Sequence, residues 1–211
     1  MTLLSFDKQS VIERVRRGVV YAPGEIDGDF QLNPDLRDSI ITGAKKKAAV
    51  LIGLVERGQE IKVILTQRTD KLSTHSGQVA FPGGKIDTDD ASPESAALRE
   101  AWEEIGLDIN EVEIIARLPD YYTGSGFIIA PVLGVVSAEA DFEINTEEVD
   151  FMFEVPLQFF MNWKNHTISS KNFNGGERHY YEMPYEGHYV WGVTAGIIRV
   201  LYDRIFTIET A

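Results

Sequence analysis

The stretch FPGGKIDTDDASPESAALREAWEEIGLD, residues 81–108, decides how this chain folds and what it does. It opens on a Pro-Gly-Gly turn and runs into a helix over residues 92–105. Ser92 suits the N-cap, Pro93 the first helical turn and Gly106 the position just past the end. On that helix Glu100, Glu103 and Glu104 stand at i, i+3 and i+4, so they share a face and repel one another. Ala96, Ala97 and Ala101 are small and let the helix pack closely. A Gly-Gly turn lets backbone approach a ligand and offer a carbonyl oxygen. Carboxylates plus a carbonyl make an oxygen-rich site that suits a hard cation, Mg²⁺ or Mn²⁺. By itself a run of charge is a solvated face; the turn before it and Arg99 beside it make it a metal cradle that admits a phosphate.

Working outward, the 211 residues with 44% hydrophobic content suffice for one domain with a sizeable core. The whole of residues 1–211 is expected to form it, with residues 1–45 as an N-terminal extension of a helix and an irregular segment. The net charge is −13, and the densest basic block is Lys45-Lys46-Lys47. That leaves no source of charge for binding a nucleic-acid backbone, so no nucleic-acid partner is expected. There is no cysteine, which excludes a disulfide scaffold, a thiolate zinc site and a cysteine nucleophile. It fits a reducing, cytoplasmic setting. The sequence begins without a basic region followed by a long apolar run, so no secretory signal is read there. The longest apolar runs, residues 48–55 and 127–136, are too short to span a bilayer and read as buried strands. No membrane partner is expected.

Along the chain, residues 7–19 carry Val11, Val15 and Val19 at helical spacing. Residues 21–39 are rich in Gly, Pro and Asp and read as irregular. Residues 47–55 and 61–68 predict an antiparallel hairpin. Residues 77–84 read as a strand running into a turn, and strands follow at 112–118 and 127–137. Residues 148–161 mix strand and helix signals. SSKNFNGG, residues 169–176, reads as a turn-rich loop flanked by strand-like residues 167–168 and 178–185, and a last helix spans about 191–205 with Trp191 in the core. Strands around one central helix, with helices at both ends, give an α+β or α-β-α layered domain.

The segment GGKIDTDDASPESAALREAWEEIGL resembles the Nudix box, G-x5-E-x7-R-E-U-x-E-E-x-G-U with U aliphatic. Arg99, Glu100, Ala101, Glu103, Glu104, Gly106 and Leu107 match the second half in full. The first half departs. The first glutamate of the pattern falls on Ala91, Gly84 lies one residue early, and Asp89 and Asp90 stand nearest the missing acid. The resemblance implies an α+β Nudix fold, a mixed β-sheet between α-helices, with the box as loop–helix–loop. It implies hydrolysis of a nucleoside diphosphate linked to another group. Glu100, Glu103 and Glu104 would hold Mg²⁺ or Mn²⁺ with the carbonyl of Gly83, and Arg99 would orient a glutamate. Glu104 is one candidate base; Glu147 and Glu148, from INTEEVD, are others.

The segment before the box, ILTQRTDKLSTHSGQVAFPGG (residues 64–84), resembles the signature of the coenzyme A diphosphatase branch, L-L-T-x-R-[SA]-x3-R-x3-G-x3-F-P-G-G. Leu65, Thr66, Arg68, Gly77 and Phe81-Pro82-Gly83-Gly84 match. Thr69 replaces Ser or Ala, and Ser73 stands where the signature has Arg; Lys71 or His75 would supply the charge. Residues 120–134, 148–161 and 188–201 also look like this branch. A small-molecule substrate follows, coenzyme A or an oxidised or acylated form. Arg68, His75, Gln78, Tyr122 and Phe127 are candidate substrate contacts. Arg68 reads equally as a surface pair, and His75 as a hydrogen-bonding loop residue rather than a metal ligand. Tyr121, Tyr122 and Phe127 suit an adenine stack but equally core or rim. YTGSG (122–126) offers backbone N–H groups to a phosphate. Two other readings compete: a Nudix hydrolase for ADP-ribose or a dinucleotide, and a nucleotide-sensing module without catalysis. The intact glutamates speak against the last.

Overall fold

The computed structural model describes residues 5–18, 24–70, 77–173 and 176–206. In chain order the elements are α1 (Lys8–Gly18), β1 (Ile26–Gly28), α2 (Arg37–Gly43), β2 (Lys46–Arg57), β3 (Glu60–Arg68), β4 (Val79–Ala80), β5 (Gly83–Lys85) and α3 (Pro93–Ile105). Then come β6 (Val112–Arg117), β7 (Asp120–Tyr122), β8 (Phe127–Val136), β9 (Val149–Pro156), α4 (Leu157–Phe160), β10 (Thr167–Phe173), β11 (Gly176–Tyr185), β12 (His188–Trp191) and α5 (Gly192–Phe206).

Nine strands form one mixed sheet and β10–β11–β12 a smaller antiparallel one. In the large sheet β2 lies parallel to β8 and antiparallel to β3, and β9 flanks β3. β2 and β3 pair only near their hairpin, at Leu54–Arg57 against Glu60–Val63. Beyond it they part, and residues 79–85 fill the gap: β4 pairs with β3, and β5 with β2. This wedge brings Gly83 and Gly84 into the middle of the sheet.

Two apolar layers cover the sheet. On one face Ala96, Ala97, Ala101 and Ile105 of α3 pack on Ala49, Leu51, Ile64, Ala130 and Val132. Alanines dominate the helix side, which keeps the helix close to the sheet and sets the depth of its glutamates. On the other face Val11 and Val15 of α1 join Ile197, Ile198, Leu201 and Ile205 of α5 over Ile52, Leu54, Val63 and Leu133. Helices thus lie on both faces of a mixed sheet, as expected. No helix among the described residues is long and apolar enough to cross a membrane.

Several elements differ from the sequence reading. Residues 26–28, read as irregular, form β1, which pairs in parallel with β7. Three residues are too few to show a period. Residues 169–173, read as part of a turn-rich loop, belong to β10. β10 and β11 pair from Thr167↔Glu182 out to Phe173↔Gly176. β10 is largely exposed and carries no apolar alternation for a sequence reading to find. Trp191 ends β12, half-exposed, and α5 begins at Gly192. Val19 lies outside the described residues.

Candidate active site

α3 is built as its sequence dictates. The Ser92 hydroxyl accepts from the Ser95 N–H at 3.2 Å, and the Ser95 hydroxyl accepts from the Ser92 N–H at 2.9 Å. Gly106 closes the helix at φ 66° and donates its N–H to the Trp102 carbonyl. Glu104 falls on the same stripe as Ala97 and Ala101 and is therefore carried into the interior, 2% exposed.

The surroundings of Glu104 come from four separate segments. Its Oε2 accepts the Gly83 N–H at 3.1 Å and its Oε1 faces Arg68 Nη1 at 3.3 Å. Gly83 is free to do this because of its register. Leu51 bonds to the Pro82 carbonyl and Ala49 pairs with Gly84, so Gly83 opposite Val50 sits at a non-hydrogen-bonded position. Its N–H and carbonyl therefore point away from β2. Burial lifts the Glu104 carboxyl from the ordinary 4.5 to about 7, against the pull of Gly83 and Arg68; the charges of Glu100 and Glu148 add to the rise. Glu100 is raised for the same first reason, burial, with Arg99 opposing.

Gly84 makes room for Glu100. A Cβ at Gly84 would stand 2.4 Å from Glu100 Oε2 and 2.5 Å from its Cδ. Any other residue here would displace the carboxylate.

Arg99 organises the rest. Its Nε and Nη2 grip Asp90 at 3.0 and 2.9 Å, Nη2 also meets the Lys85 carbonyl at 3.0 Å, and Nη1 reaches Glu100 and Glu103 at 3.0 Å each. The Asp90 side chain is only 6% exposed, and its Oδ2 also accepts the Asp87 N–H at 2.8 Å. The Arg99 guanidinium holds the Asp90 carboxyl below its ordinary value. Asp90 thus pins the lengthened loop to α3. The sequence pattern located the missing acid to within a residue but could not show which neighbour reached the arginine.

The structure brings together Arg68, Gly83, Glu100 and Glu104, with Glu103 half-exposed at the rim. Gln78 borders this group: its carbonyl accepts the Arg68 N–H at 3.0 Å. Of the two downstream acids, Glu148 acts on Glu100 and Glu104 through its charge. Glu147 is exposed, and its N–H is turned back to Asn145 Oδ1. Phe127 starts β8 beneath Lys46, whose Nζ lies 5.3 Å from the ring centroid. Tyr122 pairs with Ile128, so alternation sends its side chain to the face opposite Tyr121. Tyr121 is 4% exposed and bonds Asp29, which leaves no face for a base. His75, with Lys71 and Ser73, lies outside the described residues.

In and beside the YTGSG loop, the N–H groups of Gly124, Gly126 and Phe127 are engaged within the protein rather than offered to a phosphate. Gly124 donates to Asp29 Oδ2 at 2.7 Å, Gly126 to the Thr123 carbonyl and Phe127 to Thr123 Oγ1. Asp29 is a residue the sequence gave no reason to single out, since its partner lies 95 positions away. Burial raises its carboxyl above the ordinary value.

Among the described residues no three acidic or histidine side chains stand close enough to enclose an ion as they are placed, because Arg99 draws Glu100 and Glu103 to itself. The donor set nonetheless fits a hard divalent cation. All its members are oxygens: the carboxylates of Glu100, Glu103 and Glu104 and the carbonyl of Gly83 turned away from β2. A cation would relieve the mutual repulsion that burial imposes on Glu100 and Glu104.

The NUDIX domain model matches residues 45–168. A relative from Yersinia pestis (strain Pestoides F), named as the uncharacterized Nudix hydrolase NudL, is 37% identical over 182 residues, covering 83% of this chain and 91% of its own. The protein of the same name from Yersinia pseudotuberculosis serotype O:1b (strain IP 31758) gives the same values. The chain therefore belongs to the Nudix family and is a Nudix hydrolase, an enzyme acting on a nucleoside diphosphate derivative. Enzymes of this family use divalent metal ions. Among solved structures, a C. elegans Ap4A hydrolase binary complex is 20% identical over 54% of this chain and 82% of its own, with a TM-score of 0.45. The NUDIX domain of Shewanella oneidensis NrtR complexed with ADP ribose is 22% identical over 55% and 75%, with a TM-score of 0.43. Likeness at this level says nothing of the substrate.

Proposed function

We propose that this hydrolase cleaves the diphosphate of coenzyme A, or of an oxidised or acylated form, to 3′,5′-ADP and 4′-phosphopantetheine. One observation supports this most. Two residues that match the coenzyme A diphosphatase signature, Arg68 and Gly83, both contact Glu104, and a third, Gly84, makes room for Glu100.

In this reading Glu100, Glu103, Glu104 and the Gly83 carbonyl hold Mg²⁺ or Mn²⁺, with Glu148 facing them. The cation supplies charge stabilisation for the phosphoryl oxygens and acidifies a water. Arg68 approaches from the end of β3 and contacts a phosphoryl oxygen, since its guanidinium stands at the mouth of the carboxylate group. Arg99 fixes the carboxylates of Glu100 and Glu103 through one nitrogen while Asp90 and Lys85 hold the other two. Glu148 takes the proton from the attacking water. Its charge already bears on the cluster, and it lies beside the site, whereas Glu147 faces solvent. Gln78 accepts the Arg68 N–H through its carbonyl, and Tyr122, Phe127 and, outside the described residues, His75 remain candidate substrate contacts.

The test is product analysis of the purified protein with millimolar Mg²⁺ or Mn²⁺, offering coenzyme A, ADP-ribose and a diadenosine polyphosphate in parallel. Release of 3′,5′-ADP from coenzyme A, with the others poor, supports the assignment. Preferential turnover of ADP-ribose or the dinucleotide overturns it, with Ser73 as the first suspect.

A further inference from the structure

The loop that carries Glu148 runs over the C-terminal end of α3. A helix leaves its last carbonyls without partners of its own. Here the Glu143 N–H donates to the Ile105 carbonyl at 2.9 Å, and the Asn145 N–H to the Glu104 carbonyl at 3.0 Å. Gly106 permits the approach. It is left-handed at φ 66°, and a Cβ there would stand 2.9 Å from the Glu143 backbone.

Asn145 then turns the chain. Its carbonyl accepts the N–H groups of Glu148 and Val149 at 3.0 and 2.9 Å, and its side-chain Oδ1 accepts the Glu147 N–H at 3.1 Å. Such a bond, from an asparagine to the N–H two residues on, imitates a backbone turn. From the other side residue 148 is tied to the end of β3: its carbonyl accepts the Thr69 N–H at 3.0 Å. Thr69 directly follows Arg68, whose Nη1 faces the Glu104 carboxylate at 3.3 Å. The contacts close a ring, from Glu104 through Arg68, Thr69, Glu148 and Asn145 back to Glu104. Arg68, Glu104 and Glu148 carry the proposed chemistry. Asn145 carries none, yet its side chain shapes the turn between two of them.

We infer that Asn145 is a positioning residue of the reaction: its side chain fixes the turn that sets the Glu148 carboxylate beside Glu100 and Glu104. This rests on the reading of Glu148 as the base. A reacting group displaced by about 1 Å costs up to about a hundredfold in rate. Because the effect runs through the base, it belongs to kcat and leaves KM alone.

The experiment measures kcat and KM at saturating Mg²⁺, on whichever nucleoside diphosphate derivative the wild type turns over. The variants are Asn145→Ala, Asn145→Asp, Glu148→Gln and the Asn145→Ala/Glu148→Gln double variant. Asn145→Ala is expected to lower kcat about tenfold with KM within about twofold of wild type. Asn145→Asp keeps the acceptor and should recover most of that loss. In the Glu148→Gln background the alanine should cost less than about twofold, since no base remains to be placed. An unchanged kcat in Asn145→Ala, no recovery with aspartate, or the full loss repeated in the Glu148→Gln background overturns the inference. If Glu148→Gln is itself impaired and the alanine still costs as much in it, only the positioning role falls. If Glu148→Gln keeps wild-type kcat, the base assignment falls and the positioning role with it.

Discussion

Replacing Glu104 by Gln should make the metal-free protein more stable at alkaline pH while removing its activity. In the fold the Glu104 carboxyl is 2% exposed and is raised from 4.5 to about 7, mainly by burial. The native state therefore holds this proton more tightly than the unfolded chain does. Stability from this source is fully present below about pH 4.5, declines as pH rises, and is gone above about pH 7. At 1.36 kcal/mol per pKa unit the rise corresponds to about 3 kcal/mol. Glutamine keeps an acceptor for the Gly83 N–H and carries no charge, so the variant escapes the penalty; losing the Arg68 contact gives part of that back. The net expectation is about 2 kcal/mol of extra stability at pH 8, or roughly 4–8 °C in Tm for a domain of this size. Near pH 4.5 the two proteins should converge. The assay is thermal unfolding with a chelator across pH 4.5–8.5, repeated with Mg²⁺, where wild type should gain and the variant gain much less. A variant less stable than wild type at pH 8, or a difference that does not change with pH, would refute the account of Glu104 as a buried carboxylate awaiting a cation.

Further outcomes follow from the same geometry. Asp90→Ala removes two bonds from Arg99 and one from the Asp87 N–H, and should cost about 2 kcal/mol in stability, read by denaturant unfolding. It should also raise the Mg²⁺ concentration needed for half-maximal activity, because Glu100 and Glu103 lose their fixed partner. Gly84→Ala should lower kcat at least tenfold with little change in Tm, since the three atoms nearest the new methyl all belong to the Glu100 carboxylate, a side-chain end that can swing away. Glu148→Gln should lower kcat by about a hundredfold or more, the scale of losing a general base, while Glu147→Gln stays within a fewfold of wild type. Steady-state kinetics on the two variants side by side decides between the neighbours.

The sequence alone determined what is local or periodic. The helix from Ser92 to Gly106 was legible because its cap, its first-turn proline and its left-handed terminus are all carried by residue type at fixed offsets. The shared face of Glu100, Glu103 and Glu104 follows from helical spacing, and the β2–β3 hairpin from apolar runs around a polar turn. Most of β11 was legible, but the length of β10 was hidden because an exposed strand is held by backbone bonds that leave no side-chain pattern. β1 was hidden because three residues have no period. At the site, side-chain chemistry was legible, but pairing across distance was not. The sequence offers Asp89 and Asp90 as equals; only the path of the loop gives Arg99 to Asp90. It offers Glu147 and Glu148 as equals; only the approach of residue 148 to the start of β9, where its carbonyl takes the Thr69 N–H, turns one of them to the cluster. Burial of Glu104, the room beside Gly84 and the Asp29 carboxylate in the glycine loop were likewise decided by tertiary packing. Local conformation depends on neighbours in the chain, whereas desolvation and charge–charge contact depend on which distant segments the closed sheet brings within a few ångströms.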